Sequence, residues 1–186
     1  MKKVFLFFIF LSCLNTTFGQ ETDHRYFEFG VEIQQYPTGF LTGVRAEIGW
    51  KPHHALDFRV GYNQLDHKDF GVHDSEIGGG FGGTVGYRYY FSSDNKKWFF
   101  GARTDLWFND IDWIDFDVGG VEIANGSTNV VVLQPTLIGG YRFSLNDYFA
   151  LTPTVAFGAE INIATDGEPV GQGGIFLWGV NLTYRF

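Results

Sequence analysis

Phe176-Leu177-Trp178-Gly179-Val180-Asn181-Leu182-Thr183-Tyr184-Arg185-Phe186 alternates in character at almost every step. Phe176, Trp178, Val180, Leu182, Tyr184 and Phe186 point one way; Leu177, Gly179, Asn181, Thr183 and Arg185 point the other. A period of two marks a strand with unlike faces, here one greasy and one polar. The pattern recurs upstream. Phe27, Phe29, Val31 and Ile33 oppose Glu28, Gly30, Glu32 and Gln34, and Leu56, Phe58, Val60 and Tyr62 oppose Asp57, Arg59, Gly61 and Asn63. Val85, Tyr87, Tyr89 and Phe91 continue it, and turn-type residues divide the chain into eight such runs, at 26–36, 40–50, 55–63, 79–91, 98–109, 129–143, 148–162 and 175–186.

The whole chain is 186 residues, 45% hydrophobic and 19% aromatic, with 25 Gly and a single Cys, which suits one all-β domain. Mean hydropathy is only -0.05, and no apolar run beyond the N-terminus is long enough for a membrane helix. A pI near 4.9 argues against a partner that is nucleic acid, and one Cys argues against a disulfide scaffold or a cysteine zinc site.

Residues 1–19 read as a signal peptide: Lys2 and Lys3, an apolar stretch from Val4 to Leu14, then Thr17, Phe18 and Gly19. Cleavage after Gly19 leaves residues 20–186 as the working domain, with 11 basic and 21 acidic side chains. A lipoprotein reading, with Leu11 and Ser12 before an acylated Cys13, is the alternative. Both take the chain out of the cytoplasm.

Alternation does not say which face is outside, because a soluble barrel buries its greasy face and a membrane barrel exposes it. Side-chain volume decides. An eight-stranded ring barely accommodates ordinary side chains, so dozens of Phe, Trp and Tyr rings are expected to face out. Gly30, Gly43, Gly49, Gly61, Gly86, Gly101, Gly140, Gly158 and Gly179 all fall on the polar face, the crowded interior. Ten residue steps from Phe176 to Phe186 reach about 33 Å, or about 25 Å when tilted by roughly 40°, the height of an outer-membrane apolar band. Short turns at Lys51 to His54, Ser92 to Lys97 and Ser144 to Asp147 would face the periplasm. Pro37 to Gly39 and longer loops at Gln64 to Gly78, Asp110 to Thr128 and Ile163 to Gly174 would face the exterior. The expected fold is an eight-stranded antiparallel up-and-down transmembrane β-barrel.

On these residues the mature chain resembles the small eight-stranded outer-membrane β-barrels of the OmpA/OmpX type, a porin-like architecture. The resemblance implies export to the bacterial outer membrane, contact with outer-membrane lipid and lipopolysaccharide, and assembly by the barrel-assembly machinery. It gives Tyr184 and Phe186 the role of the C-terminal assembly signal. It also leads to the expectation that no peptidoglycan-binding domain follows Phe186. Activities in the family range from structural proteins and adhesins to pores and lipid-modifying enzymes, so architecture alone assigns none.

Three strand ends echo one another: Gly86-Tyr87-Arg88-Tyr89, Gly140-Tyr141-Arg142-Phe143 and Thr183-Tyr184-Arg185-Phe186. Their rings suit an aromatic girdle and their arginines point inward. The inward charges are Glu28, Glu32, Glu47, Asp57, Asp105 and Glu160 against Arg45, Arg59, Arg88, Arg103, Arg142 and Arg185, six of each sign. Unpaired charges in a narrow lumen are costly, so this set reads as an ion-paired plug rather than an ion pathway. Glu28 and Arg185 are expected to meet across the seam of first and last strands.

The outer loops carry Asp66, Asp69, Asp74, Glu76, Asp110, Asp112, Asp115, Asp117, Glu122, Asp166 and Glu168 against Lys68. They read as a solvated acidic surface, with a divalent-cation site between Asp110/Asp112 and Asp115/Asp117 as the sharper alternative. His73, Asp74, Ser75 and Glu76 hold the residue types of a hydrolase set, with Ser75 as nucleophile, His73 as base and Glu76 or Asp74 orienting it. Four adjacent loop residues rarely form a triad, and a polar loop is the expectation. His24, His53, His54 and His67 read as surface residues. The chain is therefore expected to be a structural or surface-interaction protein, with no cofactor and no catalysis; a lipid A-modifying enzyme or a small pore is the alternative.

Overall fold

The computed structural model describes residues 25–68, 72–92 and 97–186. The signal peptide, Cys13, His24 and Asp69 lie outside the described residues. The strands are β1 (Tyr26–Tyr36), β2 (Gly39–Lys51), β3 (His54–Lys68), β4 (Ser75–Tyr90), β5 (Trp98–Phe116), β6 (Glu122–Tyr141), β7 (Phe143–Ser144), β8 (Phe149–Asp166) and β9 (Gly173–Arg185). Gly140 pairs with Thr154 and Phe143 with Leu151, so β7 continues the register of β6 on β8 past a break at Arg142. The two form a single stave, and the barrel has eight.

All neighbours are antiparallel, and β1 pairs with β9 as well as β2, which closes the ring. Following register partners from Glu28 through Glu47, Asp57, Gly86, Arg103, Thr136, Gly158 and Ile175 returns to the line of β1 ten residues above the start. With strands ~4.8 Å apart and a rise of ~3.3 Å per residue, that stagger sets a tilt of about 41° and a backbone radius of about 8 Å. Pro135 has no N–H to donate, and the β6–β8 ladder skips from Leu133↔Ile161 to Thr136↔Gly158.

Burial is inverted relative to a soluble protein. Glu32 and Asp105 are 1% and 0% exposed, whereas Phe81 and Val85 are 73% and 58% exposed. Outward rings gather at the end of the barrel that carries the short turns, where Trp98, Tyr141 and Phe143 run at centroid distances of 4.8 and 4.5 Å. Tyr184 lies 4.9 Å from Phe186, which lies 5.6 Å from Phe27 across the closing seam.

Three expectations need correction. Tyr36, Tyr90, Phe99, Trp107 and Trp113 are buried in the barrel rather than turned out, because the interior has room for a few rings wherever glycines line it. Gly82 is such a place: a Cβ there would lie 2.3 Å from the Trp107 ring. The outer connections are also shorter than expected. Most of 64–78 and 110–128 and half of 163–174 is strand, because β3 to β6, β8 and β9 extend past the apolar band. With water on their outward side there, these extensions lose the greasy face that signals a strand in the sequence. His67 is buried, not superficial, because position 67 continues the inward parity of Asn63 and Leu65.

Val85→Lys places a charge on the outward face near mid-barrel. We expect it to lower the folding stability of vesicle-inserted protein by about 2–4 kcal/mol in a denaturant titration, while Asp112→Lys beyond the apolar band changes it little.

Candidate functional site

The lumen holds charges in three layers. At the end that carries the short turns Glu28 accepts from Arg142 Nη2 at 2.9 Å, Arg185 Nε at 2.8 Å and Thr183 Oγ1 at 3.2 Å. Glu28 and Arg185 are register partners across the β1–β9 seam. Above them Arg45 meets Glu47 at 2.9 Å and binds Asp57 through Nε at 3.0 Å, and Arg88 reaches both acids at 3.2 Å. The Tyr90 hydroxyl donates to Glu47 at 2.7 Å, and Tyr26 binds the same carboxylate. In the upper layer Arg59 meets Glu32 at 3.0 Å and Asp105 at 2.8 Å, and Arg103 meets Glu32 at 3.2 Å and Asp105 at 3.5 Å.

Neutral partners hold the forks in place. Gln34 Oε1 accepts from Arg59 at 2.8 Å and from Arg103 at 2.6 Å; Thr84 and Thr136 accept from the two Nε groups. Arg88 also lies 4.6 Å from the centre of the Phe99 ring. The guanidinium forks span strands because inward side chains from opposite walls meet near the axis of so narrow a barrel. Glu160 stands apart. Its partner is Gln134 Nε2 at 3.0 Å, and Gln134 in turn accepts from Trp107 Nε1 at 3.0 Å. The contacting set among the described residues is therefore six arginines with five acids, rather than six with six.

The outer mouth is organised by Glu76, which sequence reasoning left among solvated loop acids. Glu76 is the register partner of His67 on the inward face and lies 3.3 Å from His67 Nε2. It accepts from the amides of Val72 at 3.0 Å, His73 at 3.3 Å and Gly171 at 3.3 Å. Burial pushes its carboxyl up, but the hydrogen bonds from His67 and from the His73, Gly171 and Val72 amides outweigh this and hold it at about 2. Through Gly171 it pins the segment 167–172 over the mouth. Thr128 donates to Glu168 O at 3.0 Å, Asn162 Nδ2 to Val170 O at 3.1 Å, and Val170 is buried in the opening. Gly167 and Gly173 bound the segment with φ of +128° and +150°, values that favour glycine.

The hydrolase-like residues do not converge. His73 Nδ1 lies 3.1 Å from Asp115 Oδ2 and its Nε2 3.1 Å from Pro169 O, with the ring stacked on Trp113 at 4.0 Å. Both ring nitrogens thus face oxygen atoms other than Ser75 Oγ, and Ser75 is buried. Asp74 instead accepts from the Phe116 amide at 2.7 Å. The four aspartates of the proposed cation site diverge as well. Asp110 and Asp112 face outward on β5, Asp115 is turned to His73, and Asp117 caps the 117–121 turn through the amides of Gly119 and Val121. His53 Nδ1 lies 2.7 Å from Tyr90 O, so it ties the short β2–β3 turn to β4.

Arg59→Ala takes the nearer guanidinium from Asp105 and Glu32 and leaves both buried acids to Arg103; we expect a loss of about 3 kcal/mol in denaturant titration of the refolded barrel. Glu76 is depressed in the folded protein from a usual 4.5 to about 2, so its stabilising contribution is present above pH 4.5 and is lost as pH falls toward 2. We expect hydrogen exchange at the Gly171 amide to accelerate over that window, and Glu76→Gln to accelerate it already at pH 7.

No protein-family model and no curated protein matches this chain. Solved structures do. The N-terminal β-barrel domain of Pseudomonas aeruginosa OprF aligns over 89% of this chain and 100% of its own, with a TM-score of 0.51 at 10% identity. Ail, the attachment invasion locus protein of Yersinia pestis, aligns over 87% of this chain and 97% of its own, with a TM-score of 0.51 at 9% identity. The fold of this chain is that of the small eight-stranded outer-membrane β-barrels.

Proposed function

We propose that this protein resides in the bacterial outer membrane as a non-conducting barrel with a structural or surface-interaction role. The observation that carries the reading is the lumen: guanidinium and carboxylate groups bridge its walls at three heights, and Val170 with its segment lies over the mouth. A continuous aqueous path would have to displace paired charges, each of which is costly to strand. A non-catalytic role is supported by His73, whose ring nitrogens are held by Asp115 and Pro169 rather than by a nucleophile.

The inverted exposure of the wall supports a surrounding of outer-membrane lipid and lipopolysaccharide. Tyr184 and Phe186 close the chain's outward aromatic row at the β1–β9 seam, which supports their reading by the assembly machinery. Export through a cleaved signal peptide at residues 1–19 belongs to the same proposal.

In planar bilayers the purified protein is expected to give no unitary conductance steps; stable steps would overturn the closed lumen. Phe186→Gly is expected to lower the heat-modifiable, membrane-inserted fraction in cells, read by gel mobility, while detergent refolding in vitro proceeds.

A further inference from the structure

Segment 167–172, which lies over the mouth, is gripped near its centre by a histidine from another connection. His73 Nε2 meets Pro169 O at 3.1 Å, and Nδ1 meets Asp115 Oδ2 at 3.1 Å and Oδ1 at 3.2 Å. A carbonyl and an ionised carboxylate offer only acceptors, so a ring that bonds to both carries a proton on each nitrogen. That ring is the imidazolium. The same hydrogen bond holds the Asp115 carboxyl below its usual range. The stack on Trp113, with 9° between the planes, sets the charge over an indole face, where a cation is stabilised.

One side of this contact is fixed and the other is not. Asp115 also accepts from the Asp74 amide at 3.2 Å, and Asp74 accepts from the Phe116 amide, so the stretch that carries His73 is tied to β5. The segment is the side that moves. Gly167 and Gly173 bound it, and a Cβ on Gly173 would meet no atom within 4 Å. When the imidazolium loses one proton to bulk water, the carboxylate beside Nδ1 keeps the remaining hydrogen there, and Nε2 turns a lone pair toward Pro169 O. An attraction becomes a repulsion.

The other anchors of the segment are indifferent to pH over the histidine range. Thr128 donates to Glu168 O, Asn162 Nδ2 to Val170 O and the Asn162 amide to Gln172 Oε1, while Glu76 stays ionised down to about 2. His67 needs only the Nε2 proton it gives Glu76, because its buried Nδ1 has no hydrogen-bond partner among the described residues. It sheds a second proton without losing a contact. Around His73 the charged groups among the described residues are Asp115 on β5, Asp74 and Glu76 on its own side and Glu168 in the segment, all acids that favour a cationic ring. Lys68, at the end of β3, is exposed on the outward face.

We infer that His73 is a proton-set latch: its imidazolium fastens segment 167–172 over the outer mouth, and its deprotonation releases Pro169 and frees Val170 from the opening. The fastened state is fully present below the histidine range and is lost as pH rises through it. Val170 shares a buried cluster with Ile111, Trp113, Val130 and Ile175, so release bares an apolar rim at the mouth. This goes beyond the closed-barrel reading, because the ion pairs lower in the lumen hold in either position.

The full chain, refolded in detergent, is followed by hydrogen exchange with mass spectrometry at about pH 5.5 and about pH 8.5, on either side of the usual histidine range. Each rate is divided by that of the unfolded sequence at the same pH. Protection of the 168–172 amides is expected to fall about tenfold at the higher pH, the weight of one charge-assisted hydrogen bond, while protection in β1 stays constant. In His73→Gln, whose amide donates to Pro169 at either pH, the segment should stay protected at both. In His73→Phe, which keeps the stack without a donor, it should exchange fast at both, with folding of each variant checked by heat-modifiable gel mobility. His67→Gln should retain the full step. A native segment indifferent to pH, a step that persists in His73→Gln, or a step abolished by His67→Gln would each overturn the latch. So would a neutral His73 ring at the lower pH, read by nitrogen NMR of histidine-labelled protein.

Discussion

Backbone N–H and C=O groups that face lipid have no water to bind, so a sheet crossing a membrane must satisfy every ladder within itself. Here β1 meets that demand by pairing with both β2 and β9. Closure with eight staves and a stagger of ten residues then fixes a lumen too narrow for large side chains all round. The consequences follow in order. Glycines such as Gly82 make space for Trp107, the remaining inward positions carry groups that can bond across the axis, and most rings are left to the outside.

Because opposite walls lie within reach, arginines from β2, β3, β4 and β5 share acids from β1, β2, β3 and β5. Arg59, Arg88 and Arg103 each reach an acid on a strand that is not a ladder neighbour of their own, so these charges act on the cross-section of the ring while hydrogen bonds act along its wall. Toward the exterior the filling changes. Trp107, Gln134 and Glu160 form an amide-rich step, and above it Glu76 gathers amides from two connections to hold Val170 in the opening. The same carboxylate that would be solvated on a loop becomes, on an inward strand position, the point from which the mouth is closed.

The membrane-spanning part was legible in the residues because period two is local: Glu28, Glu32, Asp57 and Arg185 declare their face by their neighbours alone. Beyond the apolar band the cue fades. Asp110, Asp112 and Asp115 sit on β5 yet look like loop residues, since water on the outward side removes the greasy half of the alternation. His67 and Glu76 are nine positions apart, and only the β3–β4 register makes them partners. His73 stands beside Ser75 in the chain but turns to Asp115 and Pro169 from other hairpins.

The order of residues by itself determined the alternation, the outward destination of most rings and the inward destination of the charges, because strand geometry assigns faces without reference to anything distant. Which arginine meets which acid, why Glu160 is left with an amide, and how segment 167–172 comes to lie across the mouth were decided only when the ring closed. Stagger and tilt set which inward side chains share a height, and no single strand carries that information.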